Sequence, residues 1–204
     1  MRFQHLENPS LPLPSTCSLD VYFWRSRELL QKLHPDLLEK YRHLDWNTLT
    51  EEYFLSEYIQ CVYTSGFNSK TISDKIKTII KVFESGEDTE ERVLSIIKNK
   101  SKYKAVRKTQ EILKNLGWNS FKNTYLLSPK TMENLPFIGP VTSQPLARSL
   151  GLDTVSPDLH LVQLSEHYKF SDVFAMRKYL SQEYGEKSIV VDFILSYFKT
   201  PAFS

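Results

Sequence analysis

The chain has 204 residues and a formal net charge of +2, with 26 lysines and arginines against 24 aspartates and glutamates. This balance excludes a histone-like polycation, so any binding to nucleic acid must depend on a local basic patch. Hydrophobic residues make up 41% of the chain, too many for a disordered protein, and only six residues are glycine, which disfavours a β-rich fold with many tight turns.

The first part of the chain predicts an arm followed by a helix. Residues 1–16 contain three prolines among polar residues, which is typical of an extended segment. Ser18 is placed to cap a helix over about residues 19–33. His34-Pro35 ends this helix, and a short helix and a loop are expected before residue 50.

Helical patterns continue through the rest of the chain. Thr48 or Thr50 is placed to cap the first of these helices, and Asp88 with Glu91 resembles a cap for the third. The predicted helices cover about residues 50–63, 69–83, 89–97, 101–116, 128–134, 140–150, 159–168, 172–183 and 187–198. We therefore predict an all-α, two-lobed helical bundle, and we treat residues 1–204 as a single domain.

The most informative stretch is a predicted helical hairpin over about residues 128–151. A short helix leads into a tight turn at Gly139, and Pro140 suits the first position of the next helix because that position needs no N–H. The backbone N–H groups at this helix start, around Val141 and Thr142, would hold a phosphate without a side-chain charge. The same spacing also fits an ordinary corner between two helices.

The sequence around this hairpin resembles the helix-hairpin-helix DNA glycosylase superfamily. Leu135-Pro136-Phe137-Ile138-Gly139, followed nineteen positions after Gly139 by Asp158, is similar to the family signature Leu-Pro-Gly-(Ile/Val)-Gly…Asp. Asp158-Leu159-His160 resembles the Asp-x-His triplet of the 8-oxoguanine branch, and residues 63–67 are more weakly similar to the 3-methyladenine branch. The resemblance covers about residues 50–200 and implies a two-lobed helical fold with a DNA-binding helix-hairpin-helix motif.

The resemblance implies that Asp158 is the catalytic aspartate. Positive charge develops on the deoxyribose as the N-glycosidic bond breaks, and a fixed carboxylate stabilises that charge. Asp158 also fits as the N-cap of the next helix, and Asp153 is the nearest rival carboxylate. His160 is implied to contact a DNA phosphate, or else it is a partly buried histidine satisfied by the backbone.

Two positions depart from the family pattern. Family members that also cut the DNA strand carry a lysine two residues after the last hairpin glycine, where this chain has Val141. Without that amine the Schiff-base route loses its nucleophile, so we expect water to attack the sugar. Phe137 replaces the first hairpin glycine, which leaves the geometry of the turn open, and Phe137 and Gly139 are both among the residues expected to bind DNA.

Four further residues are candidates for the site: Glu57 as a second catalytic acid, and Gln60, Tyr63 and Trp118 as residues of a base pocket. Glu57 lies in Leu-Ser-Glu, similar to the adenine-glycosylase branch, where the glutamate protonates the departing base. Glu57 fits an exposed helix position equally well. Gln60 and Tyr63 lie about one turn apart and are candidates to line a base pocket, as is Trp118. Core packing is the alternative for Tyr63 and Trp118.

A basic strip between residues 98 and 108 is a candidate for binding the DNA backbone. Six cations and no acid occur within these eleven residues, of which Lys102, Lys104, Arg107 and Lys108 are expected to contact phosphates. An acidic run just before this strip, over residues 84–91, is expected to neutralise part of it.

Together these features predict a monofunctional DNA glycosylase that flips out a damaged or modified base and leaves an abasic site. The alternatives are a catalytically inactive helix-hairpin-helix DNA-binding module and an enzyme acting on hypermodified bases, such as those of viral DNA. The expected partner is double-stranded DNA, and the expected state is a monomer. The cysteine count, the absence of an apolar leader or span and the absence of metal and nucleotide motifs predict an intracellular protein without metal, cofactor or membrane association.

Overall fold

The structure is a computed structural model that describes residues 17–66, 69–152 and 159–197. These residues form helices, and no β-strand occurs among them. The all-α prediction is therefore confirmed. The predicted arm of residues 1–16 lies outside the described residues, as does Asp158.

The chain divides into two units, one built from Asp45–Thr154 and the other from Arg2–Leu44 with Val155–Ser204. Each unit has its own apolar core. The treatment of residues 1–204 as one domain stays a prediction. The first unit contains α3 (Glu51–Thr64), α4 (Ser69–Glu84), α5 (Glu90–Ile96), α6 (Lys100–Leu116), α7 (Trp118–Tyr125), α8 (Pro129–Met132) and α9 (Pro140–Ser149). The second contains α1 (Leu19–Leu33), α2 (Pro35–His43), α10 (Leu159–His167), α11 (Val173–Tyr184) and α12 (Ser188–Tyr197).

The capping residues explain where several helices begin. Ser18 Oγ accepts a hydrogen bond from the Val21 amide, as predicted, and Thr50 caps α3 by accepting from the Tyr53 amide at 3.2 Å. The predicted cap at Asp88 is wrong by one residue. Thr89 caps α5 instead, because its hydroxyl accepts from the Arg92 amide at 3.3 Å.

Helix α7 was not predicted from the sequence. Gly117, at φ +72°, ends α6 and directly precedes the new helix. Several of the residues that follow have only modest helix propensity. Phe121 is nevertheless fully buried in the core of the first unit and packs on Tyr125, with 5.0 Å between the ring centroids. Tertiary packing therefore stabilises a helix that the local sequence does not predict.

The second unit is organised around the buried helix α12. Its residues are apolar on all sides except for a few polar positions such as Asp192. The Asp192 carboxylate lies 2.7 Å from Nε of Arg177 on α11, and both side chains are only 3% exposed. The opposite charge offsets the cost of burying either group alone.

Across the described part of the chain, no helix combines the length and the apolar character that crossing a membrane requires.

Candidate nucleic-acid interface

The predicted hairpin is formed by α8, a turn and α9. Ser128 and Thr131 form a reciprocal capping box at the start of α8, with each side chain accepting from the other residue's amide at 3.2 and 3.0 Å. The chain then makes two successive tight turns, since the Leu135 amide donates to Met132 and the Ile138 amide donates to Leu135. The side chains of Met132, Leu135 and Ile138 are buried in the core of the first unit. They hold the hairpin against that core.

Phe137 gives the turn its shape by adopting a left-handed backbone conformation, with φ +67°. This conformation costs a non-glycine residue about 1–2 kcal/mol. The neighbours on both sides hold it in place. The Pro136 carbonyl accepts a hydrogen bond from the Tyr58 hydroxyl at 2.6 Å, and Ile138 is only 5% exposed. The turn therefore exists without the glycine of the family pattern, and the Phe137 ring stays 43% exposed.

Gly139 is the N-cap of α9, and nothing among the described residues requires a glycine there. Its backbone is extended, at φ −121° and ψ −176°, which any residue adopts. A Cβ atom built at this position meets no atom of the described residues within 4 Å. The space beside the Gly139 backbone is therefore open, and a ligand can approach the main chain closely at this point.

The start of α9 offers fewer amides than the sequence predicts. The Gly139 amide donates to Thr142 Oγ1 at 2.9 Å, and the Thr142 amide donates back to the Gly139 carbonyl at 3.0 Å. Pro140 has no N–H. Within the first turn of α9, the Val141 amide is the one for which the described residues show no acceptor, and the Val141 side chain is 86% exposed. A phosphate at this position would need further donors or nearby cations.

Lys102 is not part of the exposed basic strip in which the sequence places it. Its side chain is only 2% exposed. Its ammonium group donates to the carbonyls of Tyr63 and Ser65, at 3.1 and 2.5 Å, and so satisfies the C-terminal end of α3. The ammonium group also lies 5.6 Å from the centroid of the Phe137 ring. Burial lowers the pKa of Lys102.

The remaining basic strip is partly neutralised, as the acidic run predicts. Arg107 pairs with Asp88 at 2.6 Å, and Lys100 pairs with a glutamate of α5 at the same distance. Lys104 and Lys108 lie one turn apart on the exposed face of α6. The strip expected to bind phosphates therefore reduces to these two exposed lysines, together with the paired Arg107.

Glu57 lies half-buried on α3, one turn before Cys61. The Cys61 thiol donates to the Thr142 carbonyl at 3.6 Å, so this side of α3 faces the first turn of α9. Burial, with a smaller contribution from the Glu57 charge, raises the pKa of Cys61 to about 11. Glu57 thus lies on the helix that packs against the hairpin.

The three residues expected in a base pocket occupy different environments. Tyr63 is fully buried in the core of the first unit, which matches the core-packing alternative. Trp118 is half-buried, with its ring centroid 6.0 Å from that of Phe54 and 6.4 Å from that of Phe121. Gln60 is partly exposed on α3. The structure places Tyr63 in the core and Trp118 at its edge.

His160 belongs to α10 of the second unit and is only 7% exposed. This burial leaves little of the imidazole available to a phosphate and agrees with the alternative of a buried histidine. Among the described residues, no group of three or more histidines, cysteines, aspartates and glutamates is arranged to hold a metal ion.

Tyr58 has a structural role that the sequence does not predict. Its hydroxyl donates to Pro136 in the hairpin turn and accepts from the Thr109 hydroxyl of α6 at 2.9 Å. Tyr58 therefore fixes the hairpin to two other helices. No pattern in the sequence distinguishes it from the other aromatic residues of α3, because its partners are 51 and 78 positions away.

Comparison with protein-family models, with curated proteins and with solved structures found no match for this chain.

Proposed function

We propose that the protein is a monofunctional DNA glycosylase that binds DNA through the α8–α9 hairpin. One observation carries the proposal: the turn is left-handed at Phe137 and opens at Gly139, where no atom in the described part of the chain fills the space beside the backbone. Such an opening at a helix start allows a DNA phosphate to approach the main chain. The exposed Lys104 and Lys108 of the same unit add positive charge for a polyanion.

The proposed reaction is hydrolysis of an N-glycosidic bond. The bond between C1′ of the deoxyribose and the base nitrogen breaks, and a water oxygen bonds to C1′. Asp158 stabilises the positive charge on the sugar and orients this water. The departing base takes a proton from Glu57, the candidate acid, and the proton released by the attacking water returns to that carboxylate through solvent. Val141 supplies no amine, so no Schiff base forms and the product is an abasic site.

The test of catalysis is base release from DNAs that carry damaged, naturally modified or hypermodified bases, with free bases identified by mass spectrometry. Wild type and Asp153→Asn are expected to release a base, and Asp158→Asn is not. Strand nicks are expected only after alkali. Nicks without alkali would contradict the argument from Val141. Salt-sensitive DNA binding without release of any base would identify a catalytically inactive binding module instead.

The test of the hairpin is Gly139→Ala. The added methyl group meets none of the atoms that the structure describes and the backbone angles suit alanine, so the thermal midpoint should stay within about 2 °C of wild type. Binding to DNA should weaken, because the methyl group fills the space that the phosphate would enter. Ser73→Ala is the control, since it changes one exposed side chain of α4, outside the hairpin, and leaves the backbone opening at Gly139 intact. Equal binding by both variants would refute the proposed mode of contact.

A further inference from the structure

Phe137 is held by its neighbours in a backbone conformation that residues with a side chain rarely adopt. Its backbone is left-handed at φ +67°, where glycine carries no steric penalty, and its ring is 43% exposed rather than buried in the core. The protein thus bears both the strain of the turn and the exposure of a large apolar ring. Residues kept in such conformations cluster at binding and catalytic sites.

The surroundings fix the direction of the ring. The hydrogen bond from Tyr58 to the Pro136 carbonyl and the burial of Ile138 prevent the turn from relaxing. On one side, the Lys102 ammonium group lies 5.6 Å from the ring centroid, and Lys102 is itself held by the carbonyls at the end of α3. The exposed part of the ring is therefore presented by a rigid support.

The chemistry of this tip suits a nucleobase. A flat aromatic ring stacks on the face of any base, whatever its sequence, once that base is unstacked from its neighbours. The Val141 side chain, at the start of α9, is a second exposed apolar group. Lys104 and Lys108 are exposed cations on α6 of the same unit. An exposed flat ring suits the face of an unstacked base better than it suits the charged backbone of a paired duplex.

We propose that the Phe137 ring stacks on an unpaired nucleobase, so that the protein prefers DNA with a single-stranded, bulged or extruded base over fully paired DNA. This inference rests on the proposed function in one respect, namely that the α8–α9 hairpin binds DNA. It goes further by assigning the Phe137 side chain, and not only the backbone of the turn, to recognition of the substrate.

The experiment compares three DNAs: a paired duplex, the same duplex with one bulged 2-aminopurine, and a single strand containing 2-aminopurine. Binding is measured by the anisotropy of a distant dye, and stacking is measured by quenching of the 2-aminopurine fluorescence. Phe137→Ala keeps the left-handed turn and removes the ring. It is expected to weaken binding to the bulged and single-stranded DNAs by about 5- to 150-fold and to abolish the quenching, with little change for the paired duplex.

Two further variants separate stacking from folding. Phe137→Trp keeps an aromatic face and should retain binding and quenching. Phe137→Gly relieves the strain, so its thermal midpoint should rise while its binding to the bulged DNA falls. If Phe137→Ala binds these DNAs and quenches the 2-aminopurine as strongly as wild type does, the inference is wrong and the proposed function still stands. Absence of salt-dependent binding of wild type to any DNA would overturn the proposed function itself.

Discussion

Replacing Tyr58 with phenylalanine removes the hydroxyl that joins α3 to the hairpin turn and to α6. This hydroxyl donates to the Pro136 carbonyl at 2.6 Å and accepts from Thr109 at 2.9 Å, and Tyr58 and Thr109 are both fully buried. Deleting it leaves polar partners without a hydrogen bond in the core, which costs about 1–3 kcal/mol. Tyr58→Phe should therefore lower the free energy of unfolding by that amount.

Tyr63→Phe is the matched control. Tyr63 lies on the same helix and is equally buried, but its hydroxyl has no hydrogen-bond partner among the described residues. Removing this hydroxyl deletes an unsatisfied polar group, so Tyr63→Phe should be neutral or slightly stabilising. The two variants lose the same atom from the same helix, and only the hydrogen bonds differ.

The assay is urea unfolding followed by circular dichroism and by tryptophan fluorescence, to which Trp46 and Trp118 of the same unit contribute. With a slope of about 2 kcal/mol per molar urea, Tyr58→Phe should shift the midpoint down by about 0.5–1.5 M without changing the slope. Equal midpoints for Tyr58→Phe and Tyr63→Phe would refute the assignment of Tyr58 as the residue that fixes the hairpin.

Three other predictions concern buried ionisable groups. Asp192→Asn removes the counter-charge of the buried Arg177 and should lower the free energy of unfolding, measured by urea unfolding, by about 3–5 kcal/mol. A loss below about 1 kcal/mol would contradict the buried ion pair. Burial raises the pKa of Cys61 to about 11. In a variant that lacks Cys17, alkylation of folded Cys61 should therefore be slow at pH 8 and accelerate towards pH 11, whereas the urea-unfolded chain should already react readily at pH 8. Burial raises the pKa values of Tyr58 and Tyr63, so the folded state keeps protons that the unfolded chain releases near pH ~10. Stability should therefore fall as the pH rises through about 10, and equal urea midpoints at pH 8 and about 10.5 would argue against this.

Most of the helices can be predicted from the sequence, because their signals are local. The cap at Ser18, the break at His34-Pro35 and the stop at Gly117 each act within one or two turns of the chain. The position of the hairpin was also local information, since Gly139 and Pro140 specify a helix start without help from the rest of the molecule.

The environment of each residue in the candidate site depends on contacts between distant parts of the chain. Phe137 takes a glycine-like conformation because Tyr58 and the buried Ile138 constrain the turn from outside it. Lys102 leaves the basic strip because the end of α3, more than 30 positions earlier, offers carbonyls that accept from its ammonium group. These contacts join residues far apart in the chain, and no periodicity or motif records them. Spacing therefore located the turn and the start of α9, whereas packing determined which side chains around them are buried and which are exposed.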